Sequence, residues 1–304
     1  MQTLADDGRD ALWAVITERL DRPVPIEVAA VAETVRRRFG DALEGVLAYG
    51  SCLRDADPHD GLIDLYALVR DYRSAQLGGL SGLLNRILPP NVYYIEAEHA
   101  GRRLRAKVAV VSLEQFERKV SAFTSYFWAR FAQPALIVEA RNVEARRRIT
   151  RALVTATETL LARARLLIEG SPDALRVWTA VLGASYRTEL RSEDAERARR
   201  IVEHDLGYYE AVTRAVFRSL PVPAAHERRA ERRAWLVRRI VGKALSTARL
   251  VKAAFTFDGG AEYLVWKIER HSGVSIELTP WQKRHPLLAA VTIAPRLYFR
   301  GGFR

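Results

Sequence analysis

Apolar residues recur at helical spacing in residues 8–20 (Leu12, Ile16, Leu20) and 27–39 (Val28, Val31, Val35), and Gly40 predicts the end of the second helix. The pattern then changes. Gly45 to Tyr49 is an uninterrupted apolar run that leads directly into Gly50-Ser51, as a buried strand runs into a turn. Residues 55–61, rich in Asp, Pro and Gly, predict a loop. Leu62 to Val69 predicts a second strand, apolar apart from Asp64. Residues 72–87 predict a helix that Pro89-Pro90 stops, followed by strands over Val92–Ala97 and Leu104–Val111. Residues 113–132 predict a helix, and the short run Leu136–Val138 after Pro134 closes the sheet. From 143 to 218 the period is helical, with breaks near 170–172 and 191–192. Pro221-Val222-Pro223 reads as a linker, and 228–256 and 261–270 as basic helices.

This order predicts an α+β protein. A mixed α/β domain spans residues 1–140, a helical domain 141–260, and a basic, partly apolar tail 261–304. Two domains also suit 304 residues, at roughly 150 residues per domain. No internal repeat or low-complexity tract is present.

The formal charge of +12, nearly all from arginine, favours polyanionic partners: nucleotide phosphates, nucleic acid or an anionic membrane. Cys52 is the only cysteine, which excludes an internal disulfide and a cysteine-rich zinc site. The first ten residues are acidic and lack an apolar core, so no signal or transit peptide is expected. The longest apolar run, Leu287 to Ala294, is far shorter than the roughly 20 residues of a spanning helix. The expected location is cytoplasmic, peripheral on the inner face of a membrane.

The candidate chemistry lies in Tyr49-Gly50-Ser51 and Ile63-Asp64-Leu65. Gly50 allows the backbone to approach a triphosphate, and Ser51 with the N–H groups of the following turn can hold its β and γ phosphates. Asp64 is a carboxylate on an otherwise apolar strand. Burying it unpaired costs several kcal/mol, so it needs a cation, and Mg²⁺ on a triphosphate supplies one. Mg²⁺ takes one or two protein carboxylates and fills its shell with water and phosphate. A strand running into Gly-Ser, then an acid on the next strand, is similar to the polymerase-β-like nucleotidyltransferase fold. That pattern usually carries a second acid where this chain has Tyr66. The metal would therefore rely on Asp64 and substrate alone, or draw a second ligand from elsewhere, with Glu96 and Glu98 as candidates.

Further segments extend the likeness. Ala48-Tyr49-Gly50-Ser51, Ile63-Asp64-Leu65, Asn91-Val92-Tyr93-Tyr94, Lys107 with Val110-Val111-Ser112, and Arg130 with Pro134 stand in one order. Ser185-Tyr186-Arg187, Arg200-Ile201-Val202 and Lys252-Ala253-Ala254-Phe255-Thr256 continue it. Together they resemble the mitochondrial translocator assembly and maintenance protein family, soluble CDP-diacylglycerol synthases with a nucleotidyltransferase domain and a helical, winged-helix-like domain. The resemblance implies CTP and phosphatidic acid as substrates and Mg²⁺ as cofactor. It implies Asp64 and Lys107 as catalytic residues, and Gly50, Ser51, Arg130, Arg187 and Lys252 as substrate-binding ones. Ser185 departs from it, standing where the family has an acid, and so does Phe257-Asp258, which follows Phe255-Thr256 in place of Ala-Gly.

A lipid substrate requires contact with a bilayer. Arg-rich 228–239, with Lys243, Arg249 and Lys252 and interleaved Trp235, Leu236, Val237 and Ile240, is the expected membrane-facing stretch, and the tail from Trp281 is a possible anchor. No nucleic-acid partner is expected. Two other readings stay open: a nucleotidyltransferase acting on RNA or a small molecule, and a non-catalytic adaptor with a degenerate site, for which Tyr66 is the best support.

Overall fold

The two apolar runs that flank the Asp-rich loop pair with each other. In the computed structural model, which describes residues 6–54, 57–168, 173–189, 195–218, 220, 224–263, 265–266, 279 and 282, they form β1 (Leu43–Tyr49) and β2 (Ile63–Val69). With β3 (Asn91–His99), β4 (Arg102–Ser112) and β5 (Ala135–Ala140) they make a mixed five-stranded sheet of order β3-β4-β2-β1-β5. Only β2 and β4 are parallel. The tight β3–β4 turn places both Ala100 and Gly101 at positive φ, the twist a two-residue hairpin loop needs.

Both faces of the sheet are covered, which is why its central strands read as continuous apolar runs. On one face Val46, Ala48, Ile63, Leu65, Ala67, Val108 and Val110 pack against α2 (Ile26–Phe39) through Val28, Val31, Ala32 and Val35. On the other, Leu47, Tyr66, Leu68, Ala109 and Val111 meet α4 (Leu113–Ser121), α5 (Phe127–Phe131) and α6 (Val143–Leu167), numbered in chain order after α1 (Asp6–Leu20) and α3 (Gly79–Ile87). The large side chains there, Trp128, Phe116 and Phe127, are fully buried; each contributes about 1.5–3 kcal/mol or more by leaving water.

Two predicted helices are interrupted. Residues 71–77 form turns, because the Asp71 carboxylate accepts from the backbone N–H of Arg73 and Ser74 at 2.9 and 2.8 Å, and from the Ser74 hydroxyl. These local bonds compete with a helix, and they hold the Asp71 pKa below its usual value. The segment 113–132 divides into α4 and α5, with the Ser125 hydroxyl accepting from the Phe127 N–H at 3.1 Å.

The remaining helices are α7 (Ala174–Tyr186), α8 (Ala195–His204), α9 (Leu206–Phe217) and α10 (Ala225–Thr256). Their core is continuous with the sheet: one cluster runs from Leu12 and Tyr66 through Leu153 to Trp178, Tyr209 and Trp235. The N-terminal α1 packs on α6 and α9, and Arg19 pairs with Asp205 at 2.7 Å. Among the described residues of 141–260 the secondary structure is helical, apart from a single bridge at Asp258. Nearly all of the tail from 267 onward lies outside the described residues.

The position of α10 decides the site. Its own Arg238 turns inward and is buried, donating to Ser125 O at 2.8 Å and Ser185 Oγ at 3.3 Å, with its guanidinium 4.2 Å over Trp128. Arg163 pairs with buried Glu231 at 2.6 Å. Past its C-terminus, Asp258 exchanges backbone hydrogen bonds with Val92 and Tyr94 at the edge of β3 and pairs with Arg38 at 2.5 Å. Fixed at both ends, α10 lies over the open end of the sheet.

Candidate active site

Strand register puts the predicted chemistry in one rank. Tyr49 is opposite Asp64, Asp64 opposite Lys107, and Lys107 opposite Tyr94, so four neighbouring strands present these residues across a single row. Asp64 shares its face with Tyr66 and Leu68, which are buried deeper; Asp64 and Lys107 are half-buried at the edge of that core.

Immediately after β1 the chain makes a single 3-10 turn, Gly50–Leu53, with Gly50 at φ +85°. A Cβ at Gly50 would stand 3.3 Å from Asp64 Oδ2, so the glycine is required both by its backbone angle and by the carboxylate beside it. Tyr49, Gly50, Ser51, Asp64, Lys107 and Arg130 line one cavity of about 150 Å³. Cys52, next to them, turns inward; its thiol donates to Tyr49 O at 3.2 Å, and burial pushes its pKa up to about 11. It is no nucleophile at neutral pH.

Arg130 enters from α5. It donates to the Tyr49 hydroxyl at 3.1 Å, and its guanidinium lies 5.2 and 4.8 Å from the ring centres of Tyr49 and Tyr126. Tyr66, in place of a second acid, hydrogen-bonds Tyr126 at 2.9 Å, and burial drives its pKa well above the ordinary phenol value. It is a core side chain that supports Arg130 from below.

The other predicted residues lie elsewhere. Arg187 caps α7 and is exposed, outside the lining of this cavity. Lys252 is buried on α10 and donates to Leu88 O at 2.7 Å, Pro90 O at 2.8 Å and Asn85 Oδ1 at 3.4 Å. Those bonds tie α10 to the α3–β3 connection. Burial, with help from Arg249, lowers its pKa to about 8. Glu96 accepts from Tyr94 at 2.9 Å and faces Arg103 and Arg105; neither it nor Glu98 lines the cavity.

The cavity also contains Tyr186 and Ile201, from two segments of the motif resemblance, and four residues that sequence patterns do not single out: Arg54, Gln133, Glu189 and Arg197. Arg54 follows Ser51 by three residues and could be found there. Glu189 and Arg197 come from the helical part and carry no local signal. The lining holds Arg54, Lys107, Arg130 and Arg197 against Asp64 and Glu189, a net cationic set suited to a polyphosphate.

A scan against protein-family models finds no match, and no curated protein matches the chain. A solved structure does. It is a nucleotidyltransferase-like protein from Exiguobacterium sibiricum, 11% identical over 90% of this chain and 92% of its own, with a TM-score of 0.28. A likeness at that score carries no weight, and the chemistry of the site rests on the geometry of the cleft.

Whether Mg²⁺ suits the site turns on its donors. Among the described residues no three His, Cys, Asp or Glu side chains gather as a ready metal cage. Asp64 alone, half-buried beside the Gly50–Leu53 turn, fits an ion that arrives already bound to a triphosphate and keeps most of its shell as phosphate and water.

Proposed function

We propose that this chain is a Mg²⁺-dependent nucleotidyltransferase that moves CMP from CTP to phosphatidic acid, giving CDP-diacylglycerol and pyrophosphate at a membrane surface. The observation that supports the transfer chemistry is the Gly50-Ser51 turn set beside the Asp64 carboxylate in a cavity whose lining includes the four cations Arg54, Lys107, Arg130 and Arg197. The choice of CTP and phosphatidic acid comes from the motif resemblance alone.

In this reading Gly50 and Ser51 hold the β and γ phosphates on the turn after β1. Asp64 holds the metal-bearing triphosphate, and the ion polarises the α-phosphate when bound. Lys107 and Arg130 offset charge on the transferred group and on the leaving pyrophosphate. The attacking oxygen belongs to an already ionised phosphate, so no general base is needed, which suits a cavity with no histidine among its described lining residues. Arg187, exposed beyond the cavity, could meet a substrate only outside it. Lys252 would act on substrate through the position of α10.

For the membrane side, α10 exposes Leu236, Val237 and Ile240 beside Arg229, Arg232, Arg233, Arg239 and Lys243. An apolar and basic face of this kind suits an anionic bilayer. Trp235, Arg238 and Lys252 from the same stretch are buried and take no part in it. No helix among the described residues is long and apolar enough to cross a membrane.

A second reading has its own support. The absence of a second acid beside Asp64, with Tyr66 built into the core, favours a binding module that holds nucleotide without turning it over. One experiment separates them: pyrophosphate release from CTP with phosphatidic acid vesicles, wild type against Asp64→Ala. Release that depends on Asp64 supports the enzyme. Binding of CTP without release supports the module, and turnover unchanged by the substitution removes the site assignment.

A further inference from the structure

The cleft does not end at Lys107 and Arg130. Both residues, with Tyr49 and Glu189, also line a second chamber of about 290 Å³ between the sheet and α10. Its walls are unlike those of the first. Val92 and Ala109 on the sheet and Leu250 and Ala253 on α10 give it apolar walls, and Tyr66 and Tyr126 also line it. Leu250 is largely exposed and continues outward to exposed Val251.

Arg249 decides what this chamber is suited to. On α10 it turns inward, its guanidinium 4.7 Å from the centre of the Tyr126 ring. Its Nε is buried without a hydrogen-bond partner, and it forms no ion pair with a carboxylate among the described residues. Three cations lie close enough to feel its charge: burial lowers the pKa of Lys119, Arg238 and Lys252, and Arg249 adds to the lowering in each. Two other half-buried arginines do have carboxylate partners, Arg148 with Glu117 at 2.7 Å and Arg163 with Glu231 at 2.6 Å, whereas Arg165, like Arg249, lies against a ring with its Nε unbonded. An unpaired, partly desolvated guanidinium among other cations is costly unless an anion visits it. Among the described residues the only carboxylate in the chamber lining, Glu189, is shared with the first cavity.

We propose that this chamber is the acceptor subsite and that Arg249 is its specificity-determining residue, taking the phosphomonoester of an acceptor whose apolar part lies along Val92, Ala109, Leu250 and Ala253. The proposal rests on the transfer reading, in which the donor triphosphate fills the first cavity. Lys107 and Arg130, common to both chambers, then stand where the two phosphates meet. An oxygen of the acceptor phosphate forms a bond to the α-phosphorus. The bond from that phosphorus to pyrophosphate breaks, and the electron pair leaves with pyrophosphate; no proton is transferred. A phosphomonoester reaches Arg249 whether it comes from a lipid or from a small water-soluble metabolite. Only the lipid also uses the apolar wall.

The test uses the full chain and three probes: dihexanoyl phosphatidic acid below its micelle concentration, glycerol 3-phosphate and inorganic phosphate. Binding of each is measured by calorimetry without nucleotide, and Mg·CTP binding is measured separately. The wild type is expected to bind the phosphatidic acid most tightly. Arg249→Gln should weaken it by about tenfold or more, the range for losing a charged hydrogen bond. Arg249→Lys should fall between, with CTP affinity unchanged in both variants and the thermal midpoint of Arg249→Gln equal to or above that of the wild type. Equal binding of all three probes would replace a lipid by a small phosphorylated acceptor and remove the apolar wall from the proposal. Unaltered binding in Arg249→Gln with turnover intact overturns the inference alone. Loss of CTP binding in that variant places Arg249 in the donor site and also overturns it. Phosphate binding through Arg249 in a protein that never releases pyrophosphate ends the transfer reading, and with it the acceptor role.

Discussion

Gly50, at the start of the turn that follows β1, sits beside Asp64 of β2: a methyl group on Gly50 would stand 3.3 Å from Asp64 Oδ2, at a residue whose φ is +85°. Gly50→Ala is therefore expected to cost about 1–2 kcal/mol of stability from the left-handed backbone angle, and to displace the carboxylate as well. Turnover and nucleotide affinity should fall more than the thermal midpoint alone explains. A variant that melts earlier but binds Mg·CTP like the wild type would show the contact to be purely structural.

Asp64→Asn keeps the shape of the side chain and removes its charge. Pyrophosphate release is expected to drop about 100-fold or more, with stability changed by less than about 1 kcal/mol because the residue is only half-buried at the cleft. Parallel turnover and melting measurements check both halves.

Lys252→Met strands three acceptors, Leu88 O, Pro90 O and Asn85 Oδ1. Each buried acceptor left unpaired costs about 1–3 kcal/mol, so a net loss of about 2–4 kcal/mol is expected in denaturant melts. Burial lowers the folded-state pKa from 10.5 to about 8. Between those values the unfolded chain binds more protons, so folding gains with rising pH. The stability of the wild type relative to Lys252→Met should increase from pH 8 towards 10.5 and be flat below pH 8. A difference that shrinks over that window contradicts the buried, protonated lysine.

Glu231→Ala breaks the 2.6 Å pair with Arg163 beneath α10. Breaking a fully buried pair costs about 3–5 kcal/mol. Because Arg163 keeps some solvent access, about 2–3 kcal/mol is expected, read as a lower urea midpoint at unchanged slope. Since α10 closes the second chamber, phosphate binding there should weaken in the same variant while Mg·CTP binding holds.

Much of the site is legible without the fold, and for a local reason. A strand leading into Gly50-Ser51, and an acid on the next apolar run, report backbone freedom and a carboxylate among apolar neighbours within about fifteen residues of each other. Lys107 is marked in the sequence only through resemblance to a family motif; its place beside Asp64 depends on the parallel pairing of β2 with β4, which no local period announces. Arg249 and Lys252 read, in the sequence, as part of a membrane-facing basic stretch. Composition shows that a helix is basic, but which cations turn inward depends on what packs against it, and α10 buries Arg238 and Lys252 while it exposes Leu236 and Ile240. Glu189 and Arg197 give no signal because their neighbours in the cavity from the sheet lie far away in the chain.

The amino-acid order by itself determined most of the elements and marked the Gly50-Ser51 and Asp64 half of the candidate cleft. Apolar periodicity and turn residues act between near neighbours, so β1, β2, α2 and the Gly50 turn follow from them, except where side chains such as Asp71 capture the backbone first. Tertiary structure alone decided how the cleft is closed: the strand order, the crossing of α10, and the gathering of Arg54, Lys107, Arg130, Glu189 and Arg197 around Asp64, with Arg249 in the adjoining chamber. Those groups come from strands, a turn and helices far apart in the chain. What brings them together is the burial of a shared apolar core, which no short window of residues contains.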